Sequence, residues 1–244
     1  MLFDVNTSFL KDYDIKIITE NIIGFGMYPQ ERKKDTISII GSRNKEFLGS
    51  DGCAYTVGSD GNYYKNDYII WRAFEKPNHE LLLLSELIID TRRYDSQFNN
   101  YENSEIRKWL NNDFLESAFN SVQRKLIQNV EVDNSIDSTG AQEANGYLCN
   151  NTSDNVFLLS NFEVISFFEL PESRRKMATD YALSKGLYAF PRCGCWWLRS
   201  PFFYCSDDAW LINIDGTLYP KNNVKNPHYG IVPAIIIDIR SANK

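Results

Sequence analysis

Three cysteines near the C-terminal end form the tightest cluster of chemically reactive side chains in the sequence. Cys193 and Cys195 flank a single glycine, and Cys205 follows further along the chain. A reactive thiol needs a lowered pKa, and structural zinc usually needs two paired knuckles of Cys or His. One tight pair and one single cysteine fit neither pattern. We therefore interpret these residues as buried apolar side chains and expect neither a metal nor a cofactor.

The two histidines of the chain, His79 and His228, limit the enzyme mechanisms that are open to it. One falls in a predicted hairpin turn and the other in a loop, where a histidine is usually a surface residue. Residues 24–26 contain two glycines, but Pro29 follows them and no helix begins there, so they do not form a phosphate-binding loop. We expect no catalytic residue.

Adjacent carboxylates occur at Asp207 and Asp208. Neighbouring side chains on an extended segment point apart, which is poor geometry for general acid and base catalysis. A calcium ion would take these two, with Asn213 or Asp215, as its first ligands, although the spacing is not that of an EF-hand loop. We interpret the pair as part of a polar loop.

An aromatic segment favours ligand binding. Phe202, Phe203 and Tyr204 follow Pro201 in a connection that would otherwise be small and polar. Exposed aromatic side chains on a rigid scaffold bury a large area at a low cost in entropy. Packing of the two phenylalanines into the core is an equally open interpretation at this point. The predicted ligand-binding residues are Arg199, Phe202, Phe203, Tyr204, Asp207, Asp208, Tyr219, Asn222, Asn223 and Tyr229.

The strand before this segment carries three large side chains with separate expected roles. Arg199 is expected to anchor the following loop by donating hydrogen bonds to its carbonyl groups. Trp196 and Trp197 are neighbours on a strand and must face opposite sides of it. One is expected in the core, while the other is open to stacking on a ligand or on Arg199.

The charge and hydropathy of the chain exclude some classes of partner. The 244 residues carry a formal net charge of −6, and the basic runs at 31–34 and 174–176 are short, so we expect no nucleic-acid partner. Residues 1–10 lack the features of a secretory signal, and no apolar run reaches the length of a membrane span. We expect a cytoplasmic protein without membrane insertion, folded as a single domain over residues 1–244.

The pattern of apolar residues predicts strands, then helices, then strands, which is typical of an α+β fold. Strands are predicted at 14–25, ending at glycines and Pro29, and at 67–74 and 80–89, with 81–84 buried on both faces. Helices are predicted from Ser104, from residue 161 or 163, and over 172–185, and residues 133–152 form a polar loop. Later strands are predicted at 195–199, 209–214, 217–219 and 231–239, with a type I′ turn at Asp215-Gly216. The final strand is expected to pair with the isoleucine-rich N-terminal segment.

Eight segments, in order along the chain, resemble an uncharacterised domain family that is common in bacteria. They are FGMYPQ (25–30), IWR (70–72), LLLSELIID (82–90), IRKWLN (106–111), VFLLS (156–160), TDYA (179–182), WWLRSP (196–201) and GIVPA (230–234). One departure is Val232, because the family usually has an arginine before the proline of the last segment.

The resemblance implies a C-type-lectin-like fold, best matched by residues 67–240, with paired terminal strands and the helices in the middle of the chain. It also implies that the loops after the WWLRSP strand carry the ligand-contacting surface. We therefore expect a non-enzymatic recognition module for a protein or glycan ligand. Two alternatives remain open: a thiol enzyme similar to formylglycine-generating proteins, using Cys193, Cys195 and Cys205, and a structural or host-directed interaction protein. The oligomeric state is not indicated.

Overall fold

The computed structural model of the chain describes residues 7–43, 46–140 and 149–239. The fold is of mixed α and β type, with strands predominating and most helices in the middle of the chain. Among these described residues, no helix combines the length and the apolar content that crossing a bilayer would require. The predicted polar loop at 133–152 falls partly outside them, at residues 141–148.

The regular elements are short and numerous. The helices are α1 (Thr7–Asp12), α2 (Glu105–Trp109), α3 (Leu115–Ala118), α4 (Ile136–Thr139), α5 (Asn161–Phe167) and α6 (Asp180–Ser184), with a π-helical turn at Leu110–Phe114 and 3₁₀ turns at Pro77–His79, Gln123–Lys125 and Pro171–Arg174. The strands are β1 (Lys16–Thr19), β2 (Ile22–Arg32), β3 (Ile39–Arg43), β4 (Glu46–Gly49), β5 (Ala54–Val57), β6 (Tyr63–Lys76), β7 (Glu80–Ser85), β8 (Asp90–Thr91), β9 (Val130–Val132), β10 (Thr152–Asp154), β11 (Val156–Phe157), β12 (Lys176–Met177), β13 (Ala189–Phe190), β14 (Cys193–Gly194), β15 (Trp196–Pro201), β16 (Asp208–Ile212), β17 (Leu218–Asn223), β18 (Gly230–Ile231) and β19 (Ala234–Asp238).

The larger of the two main sheets is built around β6, which is long enough to pair with three other strands. β2 lies along one edge of β6, whereas β5 and β7 share the other edge. Within the described residues this sheet has nine strands, in the order β11-β19-β7-β6-β5-β4-β3, with β2 and β1 beside β6. The first strand was predicted to end at its glycines and Pro29, but β2 runs through them, because register shifts in its pairing with β6 accommodate Gly26 at a φ of +71°.

The last strand, β19, pairs with β7 and β11 and not with the N-terminal segment. Leu83 lies opposite Ile235, and Leu81 lies opposite Ile237. The leucines at 81–84 are almost fully buried, which confirms that β7 is covered on both faces. The prediction that the two ends of the chain pair directly is therefore wrong, because β7 supplies the apolar partner that β19 needs.

The second main sheet has the order β17-β16-β15-β18-β8. The chain crosses between the two sheets after β7 and again after β18, and the two crossings meet where the Ser85 N–H donates to the Pro233 carbonyl at 3.0 Å. Because proline has no N–H to continue a strand ladder, the single strand predicted at 231–239 is two strands in different sheets. Val232, which precedes Pro233, is fully buried.

Trp196 and Trp197 face opposite sides of β15, as predicted, and both are fully buried. Each belongs to a different apolar cluster, one on each side of the strand. The Trp196 indole N–H donates to the Arg174 carbonyl at 3.2 Å, and the Trp197 indole N–H donates to the Arg92 carbonyl at 3.0 Å. Neither ring is therefore available for a ligand, and the stacking alternative is not what the structure shows.

The helix predicted over 172–185 is confined to α6. The residues before it form the 3₁₀ turn Pro171–Arg174 and the strand β12, because β12 pairs with β14. Thr179 begins α6 by accepting a backbone N–H at its hydroxyl group, and Gly186, at a φ of +89°, ends it as predicted. Tertiary strand pairing here overrides local helix propensity.

The Asp215-Gly216 turn is present but is not of type I′. That type requires a positive φ at both central residues, whereas Gly216 has a φ of +87° and Asp215 is not in the left-handed region. The Asp215 carboxylate instead accepts the Thr217 N–H at 3.0 Å. A Cβ atom at position 216 would lie 1.8 Å from the Pro171 carbonyl oxygen, so the close approach of another segment also requires glycine here.

One lysine is buried where β12 meets the larger sheet. Lys176 is 3% exposed, and its Nζ atom lies 3.8 Å from Glu86 Oε1 and 5.6 Å from the centroid of the Phe168 ring. Burial lowers the pKa of Lys176 to about 8, and the nearby Glu86 carboxylate offsets part of this effect. The charged ammonium is therefore a cost to the folded state at neutral pH.

We predict that Lys176→Met raises the free energy of unfolding at pH 7, by about 3 kcal/mol if the whole pKa shift is recovered. Glu86 keeps its bond to Arg72, so the substitution does not strand a charge. The pKa is lowered by folding, so the cost is fully present below pH 8 and is relieved as the pH rises towards the unfolded value near 10.5. Urea denaturation at pH 7 and at pH 9.5 should show that the gain in the free energy of unfolding of Lys176→Met becomes smaller at the higher pH. A gain of equal size at the two pH values would contradict the assignment.

Candidate ligand-binding surface

Arg199 is the centre of a buried hydrogen-bond network beneath the predicted surface. Its side chain is fully buried, and its guanidinium group pairs with both carboxylate oxygens of Glu163. The same group donates to the Leu158 carbonyl and to the Asp133 carbonyl, each at 2.8 Å. Asn134 Oδ1, at 3.2 Å, accepts from Nε. Because all three guanidinium nitrogens have partners inside the protein, Arg199 is a structural residue and does not contact solvent.

Glu163 has a second role at the beginning of α5. Its carboxylate accepts the Ser160 backbone N–H at 2.9 Å, while the Ser160 hydroxyl accepts the Glu163 N–H at 3.1 Å, which is a capping box. One carboxylate therefore caps the beginning of the helix and neutralises Arg199. Arg199 was predicted to anchor the loop that follows β15 by bonding its carbonyl groups; its guanidinium group instead bonds the carbonyl groups of Leu158 and Asp133.

The aromatic loop, residues 202–208, is held by a residue that the sequence did not single out. Asn99 is fully buried, and its Nδ2 atom lies 3.2 Å, 2.9 Å and 2.6 Å from the carbonyl oxygens of Phe202, Cys205 and Asp208. The Asn99 backbone N–H also donates to the Ser206 carbonyl at 2.7 Å. These bonds give the loop one defined conformation. No local pattern marks Asn99, because its partners are about a hundred residues away.

The three rings of the aromatic loop differ in exposure. Phe202 is 6% exposed and is part of the protein interior, Phe203 is half-buried, and Tyr204 is 77% exposed. The ring centroids of Phe203 and Tyr204 are 3.8 Å apart, and Tyr204 also contacts the Phe202 ring at 5.5 Å. The core-packing interpretation therefore holds for Phe202, and the ligand-binding interpretation stays a prediction for the two outer rings. Phe202 is the base on which the outer two rings rest.

Two acidic residues, Asp207 and Asp208, follow shortly after the rings. Atoms of Cys205, Asp207 and Asp208 that could bind a metal lie within 4.8 Å of one another. The prediction that the two carboxylates point apart is therefore wrong, because they lie where a turn leads into β16. The Cys205 thiol donates to Asp207 at 2.7 Å, which lowers the pKa of Asp207 and raises that of Cys205. Burial and the charge of Asp207 raise the pKa of Asp208. Asn223 donates to Asp207 at 3.1 Å and ties β17 to the loop.

The remaining predicted residues lie further along β17 and beyond it. Tyr219 is 49% exposed, but it is four residues from Asn223, or about 13 Å along the strand. Tyr229 is half-buried with its ring edge-on to Trp197 at 4.9 Å, and burial raises the pKa of Tyr229. Asn222 is buried and donates to main-chain carbonyls, so its role is structural. The structure thus brings Phe203, Tyr204, Asp207, Asp208 and Asn223 together and separates Tyr219 and Tyr229 from them.

The Cys195 thiol lies in a position of low reactivity. Burial raises the pKa of Cys195 to about 11, and its Sγ atom contacts Asn213 at 3.2 Å. Cys193 is two residues earlier and half-exposed, next to the Arg175 guanidinium at 3.7 Å. A nucleophilic thiol requires a lowered pKa, which is the opposite of the change at Cys195. Both histidines of the chain are exposed.

The comparison with protein-family models matches residues 78–239, which is more than half of the chain, to the model described as Domain of unknown function (DUF6273). The chain belongs to the DUF6273 family. The matched region begins just before β7 and ends just after β19, so the DUF6273 region contains Arg199, Asn99 and the aromatic loop. No curated protein and no solved structure matches the chain.

We predict that Arg199→Met lowers the free energy of unfolding by about 3–5 kcal/mol, because Glu163 and several carbonyl groups lose their buried donor. Chemical denaturation monitored by tryptophan fluorescence measures this change. Arg93→Met is the matched control: the Arg93–Glu105 pair is exposed, and its loss should cost only about 0–1 kcal/mol. Equal effects of the two substitutions would show that the buried network does not hold the fold together.

We predict that Asn99→Ala loosens the aromatic loop, at a cost of about 1–3 kcal/mol in the free energy of unfolding. Hydrogen exchange should accelerate at the amides of Phe202, Cys205 and Asp208, which bond within the loop. Asn112→Ala removes an exposed asparagine that bonds only within its own helix, and it should leave these amides unchanged. Unaltered exchange in the Asn99 variant would mean that the loop holds its shape without this residue.

Proposed function

We propose that this DUF6273 chain is a non-catalytic recognition module of C-type-lectin-like architecture, and that a protein or glycan ligand contacts the aromatic loop and the adjoining end of β17. The architecture is supported by the pairing of β7 with β19. These strands begin and end the family-matched region, so the two ends of that region meet in one sheet. The connections after β15 then project from the second sheet.

The observation that carries the proposal is the close contact between the tilted rings of Phe203 and Tyr204 on a loop that Asn99 holds in place. A tyrosine that is 77% exposed and held against a second ring on an ordered loop is typical of a surface that serves a contact. Aromatic side chains that are already ordered lose little entropy on binding, and tyrosine is enriched among residues that dominate binding energy. Asp207 and Asn223 supply polar groups at the edge of the rings.

The thiol-enzyme alternative receives no comparable support. Cys195 is buried with a raised pKa, and Cys205 donates its proton to Asp207, so neither thiol is activated as a nucleophile. The geometry therefore favours recognition over thiol chemistry.

We predict that Tyr204→Ala weakens ligand binding at least tenfold while leaving the thermal midpoint unchanged, because the side chain is mostly exposed in the free protein. The measurement is a glycan and purified-protein array probed with the wild type, followed by titration of each hit. Phe162→Ala removes an exposed ring on α5 and is the control. The contact would lie elsewhere if the hits bound the Tyr204 variant with the same affinity as the wild type. The same conclusion would follow if the Phe162 variant lost as much affinity as the Tyr204 variant.

A further inference from the structure

A second concave site lies across the N-terminal strands and includes no residue of the aromatic loop. It is a cavity of about 410 Å³ between β1, β2 and β6 on one side and residues 177–180 on the other. This volume falls within the usual range of small-ligand sites, roughly 300–1,000 Å³. Its apolar lining includes Ile18, Ile70, Leu87 and Met177.

The wall of this cavity contains a buried hydrogen-bond donor that has no acceptor. Gln30 is 7% exposed, it lines the cavity, and its Nε2 atom has no hydrogen-bond partner among the described residues. Buried side-chain amides are normally paired, because an unpaired one loses its bonds to water without replacement. Gln123, which is also buried, shows the usual case: its Oε1 accepts the Asn120 N–H at 3.0 Å and its Nε2 donates to the Tyr13 carbonyl at 3.3 Å.

Two of the carboxylates in the lining are already paired. Asp180 accepts from Arg192 at 2.8 Å, and Asp67 accepts from Lys65 at 2.7 Å. The lining carries nearly equal numbers of both charges, from Lys16, Arg192, Glu31, Asp67 and Asp180. The lining therefore has no strong excess of either charge, and the neutral donor of Gln30 suits a neutral acceptor such as a carbonyl group.

The apolar wall continues out of the cavity across a small sheet. Met177 lines the cavity and lies opposite Cys193 on the neighbouring strand, and Cys193 lies opposite Phe190 on the next. Residues directly opposite each other in a sheet share a face. Met177 is 50% exposed and Phe190 is 74% exposed, so an apolar row leads from the cavity over the surface. An elongated ligand with apolar groups at intervals fits this shape.

We propose that the cavity binds an extended peptide segment, with an aliphatic side chain among Ile18, Ile70 and Leu87 and the carbonyl of the same residue accepting the Gln30 N–H. A carbonyl beside an aliphatic group is the repeating unit of a peptide. A saccharide would bring several hydroxyl groups to a wall whose Asp67, Asp180 and Arg192 side chains are already paired. This site is independent of the aromatic loop and of the function proposed for it.

The test is an NMR titration of the full chain with N-acetyl-leucine N′-methylamide. Saturable shifts are expected at the Gln30 side-chain amide and at the methyl groups of Ile18, Ile70, Leu87 and Met177. N-acetyl-glycine N′-methylamide, which lacks the aliphatic group, should bind at least tenfold more weakly. The proposal would be overturned if the leucine probe shifted only other residues or produced no shift up to its solubility limit. It would also be overturned if methyl N-acetyl-β-glucosaminide saturated the site and the leucine probe did not.

Two buried-glutamine variants separate binding from stability. Gln30→Met should weaken binding of the leucine probe at least tenfold while leaving the thermal midpoint equal or higher, because it removes an unpaired donor. Gln123→Met should lower the midpoint and retain binding, because it removes paired groups away from the cavity. Tyr204→Ala should also retain probe binding, which distinguishes failure of this proposal from failure of the aromatic-loop function. Full binding by the Gln30 variant, or a midpoint as low as that of the Gln123 variant, would assign Gln30 to the structure alone.

Discussion

The fold depends on one buried interaction, in which Arg199 pairs with Glu163. A guanidinium group without access to solvent is stable only when carboxylate and carbonyl groups surround it, because the cost of removing its charge from water is large. Meeting that requirement brings β15, the beginning of α5, the segment after Asp133 and the Leu158 carbonyl to a single point. The segments VFLLS and WWLRSP are therefore parts of one structural unit, although some forty residues separate them in the chain.

The same constraint explains how an exposed surface can be rigid. β15 is fixed by three of its own side chains. Arg199 bonds to the segments around it, and Trp196 and Trp197 pack into separate apolar clusters on opposite faces of the strand. The loop that follows it starts from a fixed strand end, and Asn99 ties the loop to a distant segment through three carbonyl groups. Exposed rings on such a loop lose little conformational freedom on binding.

The two candidate sites use different physical properties. The aromatic loop presents apolar area that water already surrounds, so its contribution to binding comes from the removal of that area from water. At the cavity beside Gln30, a buried donor has no hydrogen-bond partner among the described residues, so its contribution to binding would come from completing a hydrogen bond. The first surface lies in the family-matched region, whereas about half of the residues that line the cavity lie on strands that precede it.

Local sequence patterns determined the elements whose hydrogen bonds close within a few residues. Ser104 begins a helix, Gly186 ends one, residues 77–79 turn a hairpin, and the leucines at 81–84 form a strand covered on both faces. The tertiary structure alone decided that β19 pairs with β7, that Pro233 divides the last strand between two sheets, and that Phe202 is buried while Tyr204 is exposed. It also decided that α6 begins only after Thr179 and that, among the described residues, the Gln30 Nε2 atom has no hydrogen-bond partner. These outcomes depend on groups that lie far apart in the chain, and the energy of burying a side chain or pairing a strand is set by the segments packed against it and not by its neighbours in sequence.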